Sequence, residues 1–166
     1  NLLERESNNV FRVGFEVVTD AEILEAAIVK VKLKGGEEEF QILREALDLV
    51  RDLPFAGEDF VWADTEGITS NIVLTIITGA LMLSDFYMSK QDLEGVFWAT
   101  GKGLKALRGH EALISLRMQA HAQERNISGI NSEWFAYERL RIADDQFLDR
   151  ESNEIAKLRE SLLTNI

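Results

Sequence analysis

The sequence predicts a mainly α-helical protein, a helical bundle around a buried central helix with a small two-stranded β element near the amino terminus; an all-α fold is the alternative. Residues 67–84 form the longest uncharged run. Their apolar side chains spread around the whole helical wheel, which is typical of a buried helix. Segments on either side repeat apolar residues at helical spacing. Residues 10–18 instead alternate apolar and polar side chains, which predicts a half-buried strand.

The central run raises the question of a membrane span, which needs about 20 mostly apolar residues. Residues 67–84 are fewer, and they include Asn71 and several hydroxyl side chains that can bond to a carbonyl one turn earlier. No cluster of lysine or arginine flanks the run to orient a span. We therefore expect a packed core helix and no membrane contact. The β-branched stretch 72–78 leaves a buried strand as an alternative, which the length of the run disfavours.

Residues 20–34 carry two conflicting patterns. A capping box formed by Thr19 and Glu22 marks the start of a helix. After position 28, however, apolar residues alternate strictly with three lysines, which is typical of a strand. We predict a short helix over 20–27, followed by an edge strand over 28–34 that pairs with the first strand.

An amphipathic pattern predicts the next helix over 37–53, and Pro54 ends it. The loop that follows, over 55–66, carries Phe60 and Trp62, which we expect to lie over the core.

Two further helices are predicted after the central one, over 93–107 and 110–125. The first contains Gly95, Gly101 and Gly103, which weaken a helix by up to about 1 kcal/mol each. We therefore expect this helix either to bend or to let a neighbouring helix approach closely.

Residues 132–166 have the pattern of one long helix with a strongly charged middle. Such a helix is about three times the average length of roughly 11–12 residues. It either breaks near Asp144-Asp145 or projects from the domain toward a partner. The length of the chain indicates a single domain over 1–166.

Composition excludes several classes of function. The chain has 18 basic and 29 acidic residues and a net charge of −11, which argues against nucleic acid and anionic membranes as direct partners. It has no cysteine, so disulfides, thiolate metal sites and thiol catalysis are excluded. The two histidines, His110 and His121, are eleven residues apart, which is too far along a helix for both to bind one metal ion.

Two acidic pairs flank the glycine pair that follows residue 34, Glu22-x-x-Glu25 before it and Glu45-x-x-Asp48 after it. If both stretches were helices of one hairpin, the pairs would lie at the same level. Four carboxylates gathered there would hold Mg²⁺ for phosphate chemistry. On helical wheels, however, these acids fall away from the apolar stripes, so a solvated surface is the alternative interpretation.

This ExxE…ExxD order resembles the pattern of the all-α nucleoside triphosphate pyrophosphohydrolases of the MazG and dimeric dUTPase type. The resemblance covers under a fifth of the chain. It implies a Mg²⁺-dependent hydrolase, with Mg²⁺ as the only cofactor and these four acids as its ligands. The chain departs from the family pattern at the first motif, where Ala21 stands in place of a second acid.

Aromatic and apolar residues of the carboxyl-terminal segment are the predicted interface, because aromatic side chains dominate binding hot spots; a role in the core is the alternative. The predicted interface residues are Trp134, Phe135, Tyr137, Leu148, Ile155 and Leu162.

No catalytic set emerges from these patterns. The leading hypothesis is a non-enzymatic protein–protein interaction or assembly module that binds copies of itself, such as a phage, viral or bacterial structural or accessory protein, cytoplasmic or virion-associated. The Mg²⁺-dependent pyrophosphohydrolase is the alternative, and an acidic mimic of nucleic acid is the second alternative. These hypotheses differ in the predicted site, namely a protein interface, a metal centre or a face of spaced carboxylates.

Overall fold

The structure, a computed structural model, describes residues 3–7, 10–13, 17–55, 60–143 and 153–166. Within these ranges it confirms the mainly α-helical class and the helical bundle. In chain order the elements are β1 (Leu3–Ser7), β2 (Val10–Val13), α1 (Asp20–Lys34), α2 (Glu37–Asp48), α3 (Val61–Thr65), α4 (Ile68–Ser89), α5 (Leu93–Ala106), α6 (Glu111–Gln123), α7 (Ile127–Ala143) and α8 (Asn153–Thr164).

The two strands form an antiparallel hairpin, in which Leu3 lies opposite Val13. The strand predicted over 10–18 is thus present over Val10–Val13, but its partner is β1 and not residues 28–34.

The strand predicted over 28–34 is wrong, because α1 continues without a break from Asp20 to Lys34. The capping box at Thr19 and Glu22 starts the helix, as the sequence indicated. Gly35 ends it with a φ of 65°, a left-handed conformation that glycine adopts without steric cost. The apparent alternation arose because Val29 and Leu33 lie on the outer face of the helix, while Val31 is buried.

α2 follows directly and packs against α1 and α4. It ends at Asp48, earlier than the predicted end at residue 53, and Pro54 lies beyond it in a turn. The ammonium of Lys102 on α5 donates to the carbonyl oxygens of Asp48 and Val50, at 2.8 and 3.0 Å. These bonds satisfy carbonyls that the end of the helix leaves without a partner.

α4 is the central helix, and α1, α2, α3, α5 and α6 all contact it. Its buried Ser84 donates to the carbonyl of Ala80 at 2.7 Å, so the expected bonds from hydroxyl groups to the preceding turn are present. Among the described residues it is the one helix whose length and mean hydropathy of 1.6 suffice for a membrane span, criteria that the core helix of a soluble protein also meets. In this fold 33% of its most apolar stretch is buried by other helices.

Glycines of α5 bring that helix close to its neighbours. A Cβ atom on Gly103 would lie 2.9 Å from the Cβ of Ala80 on α4 and 2.5 Å from a methyl group of Leu113 on α6. A Cβ on Gly101, in contrast, would meet no atom within 4 Å. We expected this helix either to bend or to let a neighbouring helix approach closely, and close approach is what the structure has at Gly103.

The carboxyl-terminal region is not one projecting helix. α7 and α8 are separate helices, and α8 packs back against both α6 and α7. A single straight helix over 132–166 could not make these contacts. The predicted break near Asp144-Asp145 lies outside the described residues.

Two alanine substitutions on α5 test the close contact between α4 and α5. We expect Gly103→Ala to lower the free energy of unfolding by about 1–3 kcal/mol, because the added methyl group overpacks against Ala80. Gly101→Ala, two residues away, should raise it by about 0.5–1 kcal/mol through helix propensity alone. Urea unfolding of both variants measures the difference, and equal effects would contradict the packing described for Gly103.

Candidate functional site

The four acids of the predicted metal site do not come together, although α1 and α2 do form a hairpin. Glu22 is engaged in the capping box, where its carboxylate accepts from the backbone amide of Thr19 at 2.7 Å. That bond lowers the pKa of Glu22. Glu25 is exposed and has no bonding partner among the described residues. Glu45 and Asp48 lie on α2, where Glu45 accepts from Gln41 and Asp48 pairs with Lys102 at 2.8 Å.

No group of three or more acids and histidines within the described ranges could hold a metal ion. The helical hairpin that a pyrophosphohydrolase of this type requires is therefore present, but its four acids are not gathered into a Mg²⁺ site. The physical reason is that each acid lies on the exposed face of its own helix. Glu22 and Glu45 bond to residues of the same turn or the next, Asp48 pairs with Lys102 of α5, and Glu25 faces solvent.

The predicted interface residues of the carboxyl-terminal region lie mostly inside the protein. Tyr137 and Ile155 are buried in a second hydrophobic cluster with Ile114, Met118 and Ile130, and Trp134 and Leu162 pack against it. Phe135 is exposed, and Leu148 lies outside the described residues. The return of α8 onto α6 and α7 explains this placement, since it covers the aromatic side of α7.

A partly buried polar cluster joins α5, α6 and α7. Arg117 donates to Glu133 at 2.8 Å and to the carbonyl of Phe97 at 3.3 Å. The ring of His121 lies against Phe97, with centroids 4.6 Å apart, and its Nε2 is 3.7 Å from Glu133. These groups satisfy one another, so the cluster holds three helices together and leaves no group free for a ligand.

The second histidine, His110, precedes α6 and is the N-cap residue of that helix. Burial lowers the pKa of its imidazole.

An exposed aromatic cluster lies between α2 and α4 and consists of Phe55, Phe60 and Trp62. The ring centroids are 5.6 Å apart for Phe55–Phe60 and 6.2 Å for Phe60–Trp62, and both pairs have edge-to-face geometry. Trp62 is 53% exposed. The expected position of Phe60 and Trp62 over the core is therefore only partly realised, because these rings pack mainly on one another.

An apolar groove of about 800 Å³ opens beside this aromatic cluster. Its walls come from the first turns of α1, the segment after α2 and the first half of α4. The volume lies within the range of about 300–1,000 Å³ that is usual for binding sites. Apolar residues that line the groove are Leu24, Val50, Leu53, Phe55, Ile68 and Ile72.

The charged residues of the groove are mostly acidic. Asp20, Glu22 and Asp52 supply three carboxylates, and Arg51 supplies one guanidinium group. None of the three aromatic rings beside the groove has a cation stacked on it within the described residues, whereas Trp98 has Arg44 at 4.3 Å. The groove thus combines an apolar floor with a net negative rim, beside aromatic rings on which no described cation is stacked. Sequence reasoning noticed Phe60 and Trp62 but missed the groove, because its walls come from three separated segments.

No family model, curated protein or solved structure matches this chain.

Lys102 of α5 bonds to the end of α2 through two carbonyls and the carboxylate of Asp48, and two substitutions test how much each contact stabilises the fold. We expect Lys102→Met to lower the free energy of unfolding by about 1–3 kcal/mol, because two carbonyls at the end of α2 lose a charged donor. Asp48→Asn should cost less, since its carboxylate is 68% exposed. Thermal or urea unfolding of both variants at neutral pH gives the comparison, and a larger loss for Asp48→Asn would contradict it.

The same pair gives a dependence on pH. The ammonium of Lys102 lowers the pKa of Asp48, through a hydrogen bond and through its charge. The stabilisation from this pair is therefore present above the unfolded pKa of about 3.9 and is lost as pH falls through the lower, folded value. Asp48→Asn should remove this part of the acid sensitivity, which unfolding curves between about pH 2 and 5 would detect.

Proposed function

We propose that this protein is a non-enzymatic interaction module, which docks a basic, amphipathic helix of another protein in the apolar groove beside the aromatic cluster. The observation that carries the proposal is Trp62, a large side chain that is half-exposed and packs against Phe55, which lines the apolar groove. Exposed tryptophan beside a contiguous apolar surface is typical of interaction sites.

The charges of the groove favour a basic partner. Three carboxylates and one guanidinium group line it, in a chain whose net charge is −11. Opposite charges at the rim steer a partner into place and set its orientation. The exposed parts of the Trp62 and Phe60 rings can in addition stack with lysine or arginine side chains of the partner.

The shape of the groove favours a helix. Its lining comes from α1, α4 and the segment after α2, and an amphipathic helix fills an apolar groove between helices with apolar residues spaced three and four apart. An apolar stripe with flanking lysines or arginines would meet both the floor and the acidic rim.

A designed peptide tests this proposal directly. We expect a synthetic helix of leucine and lysine, about 18 residues or five turns long, to bind the protein, while the same peptide with glutamate in place of lysine does not. Trp62→Ala should weaken binding of the lysine peptide by about 2 kcal/mol, or about 30-fold in Kd. Calorimetry measures both quantities.

Two further variants separate docking in the groove from general attraction to an acidic protein. Phe135→Ala is the matched control, because Phe135 on α7 is as exposed as Trp62, at 56%, and does not line the groove. It should leave the Kd unchanged, whereas Leu53→Asp in the groove should weaken binding. Equal binding by all three variants would refute the proposal. A blue shift of tryptophan fluorescence with neutral lipid vesicles that Trp62→Ala removes, absent with the peptide, would also refute it and assign the cluster to a lipid surface.

A further inference from the structure

The outer face of α1 carries an apolar stripe that no described residue covers. Val29 and Leu33 are one turn apart on this face, and Leu33, at 80%, is the most exposed large apolar side chain of the described protein. Ala26 lies one turn before, on the same line. The opposite face of the helix is the one that packs into the core, through Leu24, Ala27, Ile28 and Val31.

Charge is distributed unevenly along this helix. The first half carries acids, Asp20, Glu22 and Glu25, and the second half carries Lys30, Lys32 and Lys34. This order already matches the dipole of the helix itself. It also makes the exposed face negative at one end and positive at the other.

Most of these charges remain unpaired within the described protein. Lys34 lies 3.3 Å from Glu39. Glu25, Lys30 and Lys32 are exposed and have no ion pair or hydrogen bond with any described residue. Glu25 and Lys32 are seven residues apart, so they flank the apolar stripe on the same side of the helix, with Val29 between them.

We propose that α1 pairs in antiparallel orientation with α1 of a second copy of this chain, through the stripe of Ala26, Val29 and Leu33. A two-fold axis at the level between Ile28 and Val29, near the middle of the helix, sets Glu25 of one copy at the level of Lys32 of the other. On one flank of the stripe, Glu25 of each copy then faces Lys32 of the other. Because a two-fold interface uses the same patch twice, this ion pair forms twice.

The charge pattern selects both the partner and the orientation. In an antiparallel pair each acidic half meets a lysine-rich half, whereas in a parallel pair like charges would face each other over the whole length. Flanking charges of this kind determine partner choice and orientation in helix pairs. A second copy is therefore the occupant that the face itself specifies. The stripe of Ala26, Val29 and Leu33 does not line the apolar groove, although Asp20 and Glu22 at the start of the same helix do.

A single helix pair buries less than the roughly 1,200 Å² of a standard stable interface, so we expect a weak dimer with a Kd of about 100 µM. Sedimentation velocity between about 10 µM and 1 mM should show a mass that rises with concentration. Leu33→Asp should abolish the dimer over this range, with a loss of about 100-fold or more, since it removes an apolar contact from both sides of the axis. Leu33 is solvent-exposed, and so the variant should keep the fold.

Charge reversal at Glu25 and Lys32 provides the decisive comparison. Glu25→Lys and Lys32→Glu should each weaken self-association about ten-fold, because each turns two attractions into two repulsions. The double variant Glu25→Lys/Lys32→Glu restores the pairs in the opposite sense and should dimerise like the original chain. An equimolar mixture of the two single variants should form a heterodimer more readily than either forms a homodimer.

Glu94→Lys is the control for a change of net charge, since Glu94 is exposed on α5, away from this face, and it should leave the dimer unchanged. Three results would overturn the proposal. These are a monomer at all concentrations up to about 1 mM, a dimer that the Leu33 and charge variants leave intact, or a double variant that stays as weak as the single ones. Trp62→Ala should not alter the mass, so that failure of this proposal and failure of groove binding are distinguishable.

Discussion

The fold depends on the close approach of neighbouring helices to α4 at Gly79 and Ala80, two small residues that are adjacent in the sequence. Ala80 faces Gly103 of α5, at a point where even one added methyl group would not fit without movement. Gly79 faces the other way, and a Cβ there would lie 3.3–3.6 Å from methyl groups of Leu24, Leu43 and Ile28 on α1 and α2. A helix that is apolar all round can serve as a core only if helices cover several of its sides, and small residues let those helices come near enough to exclude water. The Gly79-Ala80 step meets this requirement on two sides at once.

Internal packing also explains why Trp134 and Tyr137 of the carboxyl-terminal region contact the core, while Phe135 stays exposed. α6 reaches the central contact through Leu113, and its other side therefore needs a cover of its own. α7 and α8 supply that cover with Tyr137 and Ile155. Trp134 is used in the same way, with the guanidinium of Arg159 5.8 Å from its ring. Aromatic side chains satisfy a core and an interface equally well, so their residue type alone does not decide between the two.

Periodicity predicted most of the helices, because the spacing of buried residues is a local property of the chain. The central helix, α2 and α6 follow directly from their patterns. α1 did not, since the exposed Val29 and Leu33 combine with the buried Val31 to imitate the alternation of a strand. The length of α2 was overestimated, because its end is fixed by Lys102 from a distant helix. The groove could not be predicted at all, since its walls depend on how α1, α2 and α4 meet in space.

Exposed apolar side chains explain both the wrong strand prediction within α1 and the groove that the sequence did not predict. Apolar side chains in water are unfavourable, and single exposed ones are common on protein surfaces. Here, however, they are grouped. Leu53 and Phe55 line the groove, and Phe60 and Trp62 pack edge to face beside it. Val29 and Leu33 lie one turn apart on the exposed face of α1, a helix whose charges change sign at its middle. Each group also has a distinct electrostatic pattern, mostly acidic at the groove and two-sided on α1. A mostly acidic rim favours a partner of opposite charge, whereas a helix that is negative at one end and positive at the other complements a reversed copy of itself. The exposed apolar side chains that simple patterning does not explain thus coincide with the two surfaces that we propose for binding other proteins.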